Sequence, residues 1–236
     1  MMNSPFMQHM ARVSAEREAI TSGGGPMSGS AYEMVLAQLY EHTQTLKAIQ
    51  SVERKVEVKR GMLADYSAYL EGVLAADTGA ADQVVTTLMV WHIDAASYDT
   101  ALQLADYIVR HKLSLPDRFE RNVATLLVEE FGEAALKGRM EPGEAGLILA
   151  KVAEMTDPLD AHDQARAKLY KAMGYALADR LQDAESDYKT LSLEQAQGAH
   201  ALLTRALELH AQIGVKKDLE RLERRVKELT PPDPST

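Results

Sequence analysis

From Ser30 onward, apolar side chains fall at Tyr32, Val35, Leu39, Leu46, Ile49 and Val56, with His42 and Glu53 filling the remaining steps. The spacing alternates three and four residues, the period of a helix–helix seam. It predicts one helix from Ser30 to about Arg60, roughly 45 Å long at 1.5 Å per residue. Ser30 and Glu33 predict a capping box at its start. Such a stripe needs a partner, either another helix of this chain or a neighbouring subunit. His42 and Glu53 interrupt the seam and favour the intramolecular choice.

Shorter helical patterns follow at 62–75, 80–93, 98–112 and 117–138, punctuated by Gly79, the stretch Asp94–Ser97 and Leu115-Pro116. "EPGEAG" at 141–146 marks a boundary. Beyond it the pattern predicts helices to Met155, over 163–181, over 193–213 and over 215–229. Ser192 and Gln195 form a second capping-box signature, and Gly214 suits a left-handed C-cap. No segment alternates like an exposed strand. The expectation is an all-α fold: a long N-terminal helix, then antiparallel helical hairpins. "KLYKAMGYAL" and "HALLTRALELHAQIG", with Ala172, Gly174, Ala201 and Ala206, make the C-terminal third resemble tetratricopeptide hairpins, although no repeat of that length recurs. Residues 1–29, with "TSGGGPMSGS", read as a flexible arm in which nothing packs, and 230–236, "TPPDPST", as a disordered tail.

Composition agrees with helices. Hydrophobic residues make up 46% of the 236, so a core can be buried, while only 6% are aromatic. Ala and Leu dominate, and both cost little entropy in a helix. The chain has no cysteine, which excludes disulfides, thiolate zinc sites and cysteine nucleophiles. No apolar run reaches a membrane span and no signal peptide is legible, so the expected location is the cytoplasm.

The net charge of -9 argues against non-specific coating of nucleic acid, but its distribution is uneven. Residues 1–60 carry 7 Lys and Arg against 6 Asp and Glu; the remainder carries 19 against 29. In "KAIQSVERKVEVKR", Lys47, Arg54, Lys55, Lys59 and Arg60 outnumber Glu53 and Glu57. Much of this charge can share a side away from the apolar stripe. It suits a phosphate-contacting surface, and equally a solvated face laced with i,i+4 pairs.

Candidate chemistry is sparse. Trp91, the only tryptophan, is followed by His92 and Asp94. Two residues apart on a helix, His92 and Asp94 diverge by roughly 200°. Asp94 is better read as capping the next helix and Trp91 as filling the core. None of the seven histidines forms His-x-x-x-His. Asp157, Asp160 and Asp163 lie three apart, the kind of cluster two-metal nucleases need, but they also suit a polar turn with Asp163 as an N-cap. There is no Walker A sequence and no Gly-x-Ser-x-Gly. No catalytic residue, metal site or cofactor is predicted.

Several stretches resemble the small terminase subunit of cohesive-end phages with contractile tails. They are "SPFMQHMARVSA" at 4–15, "LKAIQSVERKVEVKR" at 46–60, "MVWHIDAASYDTALQLADYIVRHKLSLPDRF" at 89–119, "ATLLVEEFGEAAL" at 124–136 and "GVKKDLERLERRVKEL" at 214–229. The resemblance makes Trp91, Asp94, Tyr98, Ala101 and Leu102 a helix-corner signature. It implies phage DNA packaging: recognition of the packaging-start, cohesive-end site on double-stranded DNA, assembly as a homo-oligomeric ring, and delivery of DNA to a large ATPase and nuclease subunit. The family is often labelled the endonuclease subunit, which here reads as directing cleavage and not performing it. On this basis Lys47, Arg54, Lys55, Lys59 and Arg60 are expected at DNA, with Arg12 and Arg17 reaching from the arm. Residues 30–140 are then a helical DNA-binding and oligomerisation domain, and 141–229 a hairpin domain that contacts the large subunit. The competing readings are a nuclease in its own right and a helical-repeat adaptor that binds protein without DNA.

Overall fold

The computed structural model describes residues 4–115, 121–181 and 188–230, and every regular element among them is helical. The chain divides into two compact units, Met1–Val123 and Ala124–Thr236. Residues 124–140, grouped with the N-terminal helices in the sequence reading, therefore belong to the second unit.

The first unit contains α1 (Pro5–Ser22), α2 (Ser30–Lys47), α3 (Val52–Leu63), a 3-10 turn at Ala64–Tyr66, α4 (Ser67–Ala76), α5 (Gln83–Asp94) and α6 (Tyr98–Arg110). Most of the expected flexible arm is thus a helix. Ser4 caps it by accepting from the Met7 N–H, and Pro5 is preset for the first turn. α1 packs along α4. Ala15 and Ala19 are fully buried, and Gly72 of α4 permits the approach. A Cβ on Gly72 would lie 2.2 Å from the Arg12 carbonyl oxygen.

The glycine-rich stretch packs as well. Gly23 ends α1 at φ +53°, with its N–H on the Ala19 and Ile20 carbonyls. The Met27 N–H donates to the Ala81 carbonyl at 3.0 Å, the Ala81 N–H donates to Gly25 at 2.9 Å, and the Met27 side chain is buried. Thr78 adds a hydroxyl bond to the Ala19 carbonyl at 2.9 Å.

α2 starts at Ser30 as expected, but no Ser30–Glu33 capping box forms. The cap comes from α1: the Glu18 carboxylate accepts from the Ala31 and Tyr32 N–H groups, both at 2.9 Å. A charged acceptor positioned by tertiary packing displaces the local serine. Gly29, at φ +127°, leaves the room, since a Cβ there would sit 2.3 Å from the Glu18 Cδ.

The expected 30–60 helix is broken after Lys47. Ser51 is extended and caps α3 by accepting from the Arg54 N–H at 3.3 Å. Tyr32, Val35, Leu39 and Leu46 are buried, but the seam does not continue through α3, of which only Leu63 is buried. The break lets α3 turn onto α5. α5 is the core element: Val84 to Met89 and Trp91 to Ile93 are all buried. Each fully buried Val, Leu, Ile or Met contributes about 1.5–3 kcal/mol of apolar transfer.

The second unit contains α7 (Val123–Leu136), α8 (Pro142–Thr156), α9 (Asp163–Leu177), α10 (Leu193–Leu209) and α11 (Lys216–Leu229). The sequence reading began α7 at 117, and residues 116–120 lie outside the described residues, as do 182–187 and the expected tail beyond Thr230. α9 packs against α8 and α10, and α11 packs on α10. Ser192 and Gln195 make the reciprocal capping box that their spacing predicts. α10 stops at Leu209, four residues early; Gly214, at φ +78°, lies in the turn before α11 and does not cap α10 directly.

This unit is pinned by a buried carboxylate. Asp218 accepts from the Tyr175 hydroxyl at 2.9 Å and the Tyr188 hydroxyl at 3.0 Å, and it forms an ion pair with Arg180. The Arg180 guanidinium also donates to the Tyr188 hydroxyl at 2.6 Å and lies 4.8 Å from the Tyr175 ring centroid.

Candidate nucleic-acid interface

The basic residues singled out by sequence divide into two groups. Lys47 closes α2, and Arg54 opens α3, both exposed at the turn 48–51; Lys55 beside them is half-buried. Arg17 is exposed on α1, and Arg12 is half-buried there. Lys59 is half-buried, and Arg60, although exposed, is tied to the fold. The Lys59 ammonium pairs with the Asp94 carboxylate and lies 5.8 Å from the Trp91 ring centroid. The Arg60 Nε donates to the Ala95 carbonyl at 3.0 Å. These two cations bolt α3 to the corner between α5 and α6.

Around that corner the aromatic groups form a chain. Trp91 meets Tyr66 edge-on at 6.3 Å and 87°, and Tyr66 meets the His42 ring edge-on at 5.6 Å. The Tyr66 hydroxyl is hydrogen-bonded to His42 Nδ1 at 2.7 Å. This explains the imperfect seam position at 42: the imidazole has a phenol to pair with. Burial raises the Tyr66 pKa well above the ordinary phenol range. Tyr98 is buried at the start of α6, after Ser97 in the N-cap position. Asp94 therefore does not cap α6, as its sequence position suggested; it ends α5 and holds Lys59.

His92 and Asp94 do not converge into a catalytic pair. His92 is 8% exposed, and neither ring nitrogen has a hydrogen-bond partner. Desolvation pushes its pKa down to about 4. Asp82, equally buried, caps α5 through the Val84 and Val85 N–H groups and accepts from the Tyr69 hydroxyl at 2.7 Å. Burial pushes its pKa up to about 6, against those hydrogen bonds. The two groups have opposite linkage. As pH falls from about 6.5 to 4, the unfolded chain protonates His92 first, which lowers stability. As pH falls from about 6 to 4, the folded chain protonates Asp82 first, which raises it. The expected result is a flat melting temperature between pH 7 and 4.5 from this pair. His92→Leu should make the protein gain stability on acidification, and Asp82→Asn, which can still cap, should make it lose stability. Thermal melts of the three proteins at pH 7.0 and 5.0 check the signs, and parallel slopes would refute the pairing.

Asp157, Asp160 and Asp163 line the turn between α8 and α9, all exposed. Asp163 is the first residue of α9, with His162 in the N-cap position, so it does not serve as the cap its spacing suggested. Among the described residues no group of three His, Asp or Glu side chains is placed to hold a metal ion. Among them, too, no helix is long and apolar enough to cross a membrane.

Residues 36–164 match the phage small terminase subunit family, and the chain is a member of it. It is similar to the terminase endonuclease subunit of Escherichia phage P2: 35% identical over 235 residues, covering 99% of this chain and 90% of that one. No solved structure matches. The membership places the chain in phage DNA packaging, with phage DNA and a terminase large subunit as the partners the family implies.

Proposed function

We propose that this chain is the site-recognition subunit of a packaging terminase. It binds the cohesive-end region of double-stranded phage DNA as a homo-oligomer in the host cytoplasm and directs the large subunit to cut and package. Cleavage itself belongs to the large subunit. The observation that carries this reading is the exposed basic turn between α2 and α3. Lys47 and Arg54 face solvent there, beside Lys55, within the segment matched to the family. Two helices joined by a four-residue turn can seat the N-terminus of the second helix against a phosphate backbone. Arg12 and Arg17 of α1 extend the contact. Lys59 and Arg60 act one step back, holding α3 at its angle. The second unit is the large-subunit contact.

The test is binding of the full chain to a fluorescent duplex carrying the cohesive-end region, across salt concentrations and with Mg²⁺ present. We expect salt-sensitive binding without cleavage. Arg54→Glu with Lys55→Glu should weaken binding by at least about tenfold and flatten the log–log salt slope by about 2. Lys59→Ala should lower thermal stability with a smaller change of slope. Cleavage of the duplex by this chain alone would make it a nuclease, and no binding at low salt would make it a protein-only adaptor.

A further inference from the structure

α1 has two opposite faces, and among the described residues only one of them is packed. Arg12, Ala15 and Glu16 meet Gly72 of α4 through backbone and Cβ atoms, and Ala15 and Ala19 are fully buried. Phe6, Met10, Val13, Arg17 and Ile20 lie roughly 140–180° around the axis from Ala15, at 100° per residue. The four apolar ones are exposed, Phe6 at 69% and Ile20 at 58%, and Met7 widens the stripe. Their spacing is four, three, four, three: a heptad seam about 21 Å long. Solvated helices do not ordinarily carry such a stripe.

We infer that this stripe is the self-association seam of the protein, occupied by α1 of a second copy. This rests on the oligomeric reading above and assigns it a surface. The 3.5-residue period fits another helix of the same period. The polar flanks of α1 are balanced, Arg12 and Arg17 against Glu16 and Glu18, so two copies meet without net repulsion. That balance also disfavours an anionic lipid surface, which selects a strongly basic polar face. A parallel pair would stack Arg17 on its own copy in the seam. An antiparallel pair avoids this: Val13 sits at the two-fold axis, Phe6 packs beside Ile20 of the second copy, and the Arg17 stem lies along Met10 with its guanidinium at the solvent edge, still open to a phosphate. Such a contact is isologous, with the same patch used on both subunits. A stripe of this kind exposes on the order of 500 Å². Two together bury about 1,000 Å², the lower edge of a specific interface, which suits a micromolar contact reinforced by a larger assembly.

The chain has no cysteine, so single cysteines can report the geometry. Sedimentation of the full chain over a concentration series should show self-association that Val13→Glu weakens at least about tenfold, with the circular dichroism unchanged because Val13 faces solvent. Under mild oxidation Val13→Cys should cross-link to itself. Phe6→Cys should cross-link to Ile20→Cys in a mixture and not to itself. A wild-type chain that stays monomeric to roughly 100 μM overturns the seam, and if that monomer still binds the duplex the recognition reading stands without it. An oligomer that survives Val13→Glu overturns it as well, by placing assembly on another face. If Val13→Glu instead abolishes only large-subunit binding, the stripe belongs to that partner and the self-association seam is refuted.

Discussion

Asp218→Ala is expected to cost the second unit about 3–5 kcal/mol, the penalty for breaking a buried ion pair by removing one partner. Arg180 would remain between the rings of Tyr175 and Tyr188 without this carboxylate, and both hydroxyls would lose the acceptor it provides. Urea titration of the full chain, followed by helical circular dichroism, should show an early loss of amplitude absent from the wild type. Asp218→Asn keeps shape and one acceptor and should fall between the two. An Asp218→Ala transition coincident with the wild-type one would mean that the network contributes no stability. Removing both charged partners, as Asp218→Leu with Arg180→Met, should recover much of the loss, because a well-packed apolar pair avoids desolvating either ion.

Gly72→Ala is the second large effect, and its sign runs against helix propensity. Alanine in a helix interior is ordinarily worth up to about 1 kcal/mol over glycine. At Gly72 the added Cβ meets the Arg12 carbonyl at 2.2 Å and the Ala15 Cβ and Glu16 nitrogen at 2.9 Å. Two of those three atoms are backbone, so relief requires α1 to move off α4, and the net cost should be about 2–3 kcal/mol. Gly61 in α3 supplies the control. Nothing lies within 4 Å of its would-be Cβ, so Gly61→Ala should be neutral or stabilising. Chemical denaturation read through Trp91 fluorescence separates the two. Equal behaviour of both variants would show that the close approach of α1 and α4 is not tight in solution.

Much of the architecture was readable where local physics decides. The all-helical class followed from apolar periodicity and from Ala and Leu content. The capping box at Ser192 formed because Gln195 lies within its own first turn. Ser30 and Glu33 offered the same signal and lost, because Glu18, twelve residues before Ser30, is delivered to the helix start by packing that no short window reveals. The glycine-rich stretch misled for a related reason: its partner is Ala81, more than fifty residues away. At the basic segment, charge counting could not tell Arg54, which faces solvent, from Lys59, whose partner Asp94 is 35 positions distant. Ser51 was the missed local clue: a serine before Val52 that caps a new helix start inside the apparent seam.

The ties on the first helix set an order of events during synthesis. α1 leaves the ribosome before its partners: its buried face waits for Gly72, its end for Thr78, and the segment after it for Ala81. At about 5–20 residues per second, several seconds separate the emergence of α1 from that of its last tether. Throughout that interval both its small-residue face and its apolar stripe are uncovered. The first unit therefore cannot close on α1 until the chain has been made past Ala81.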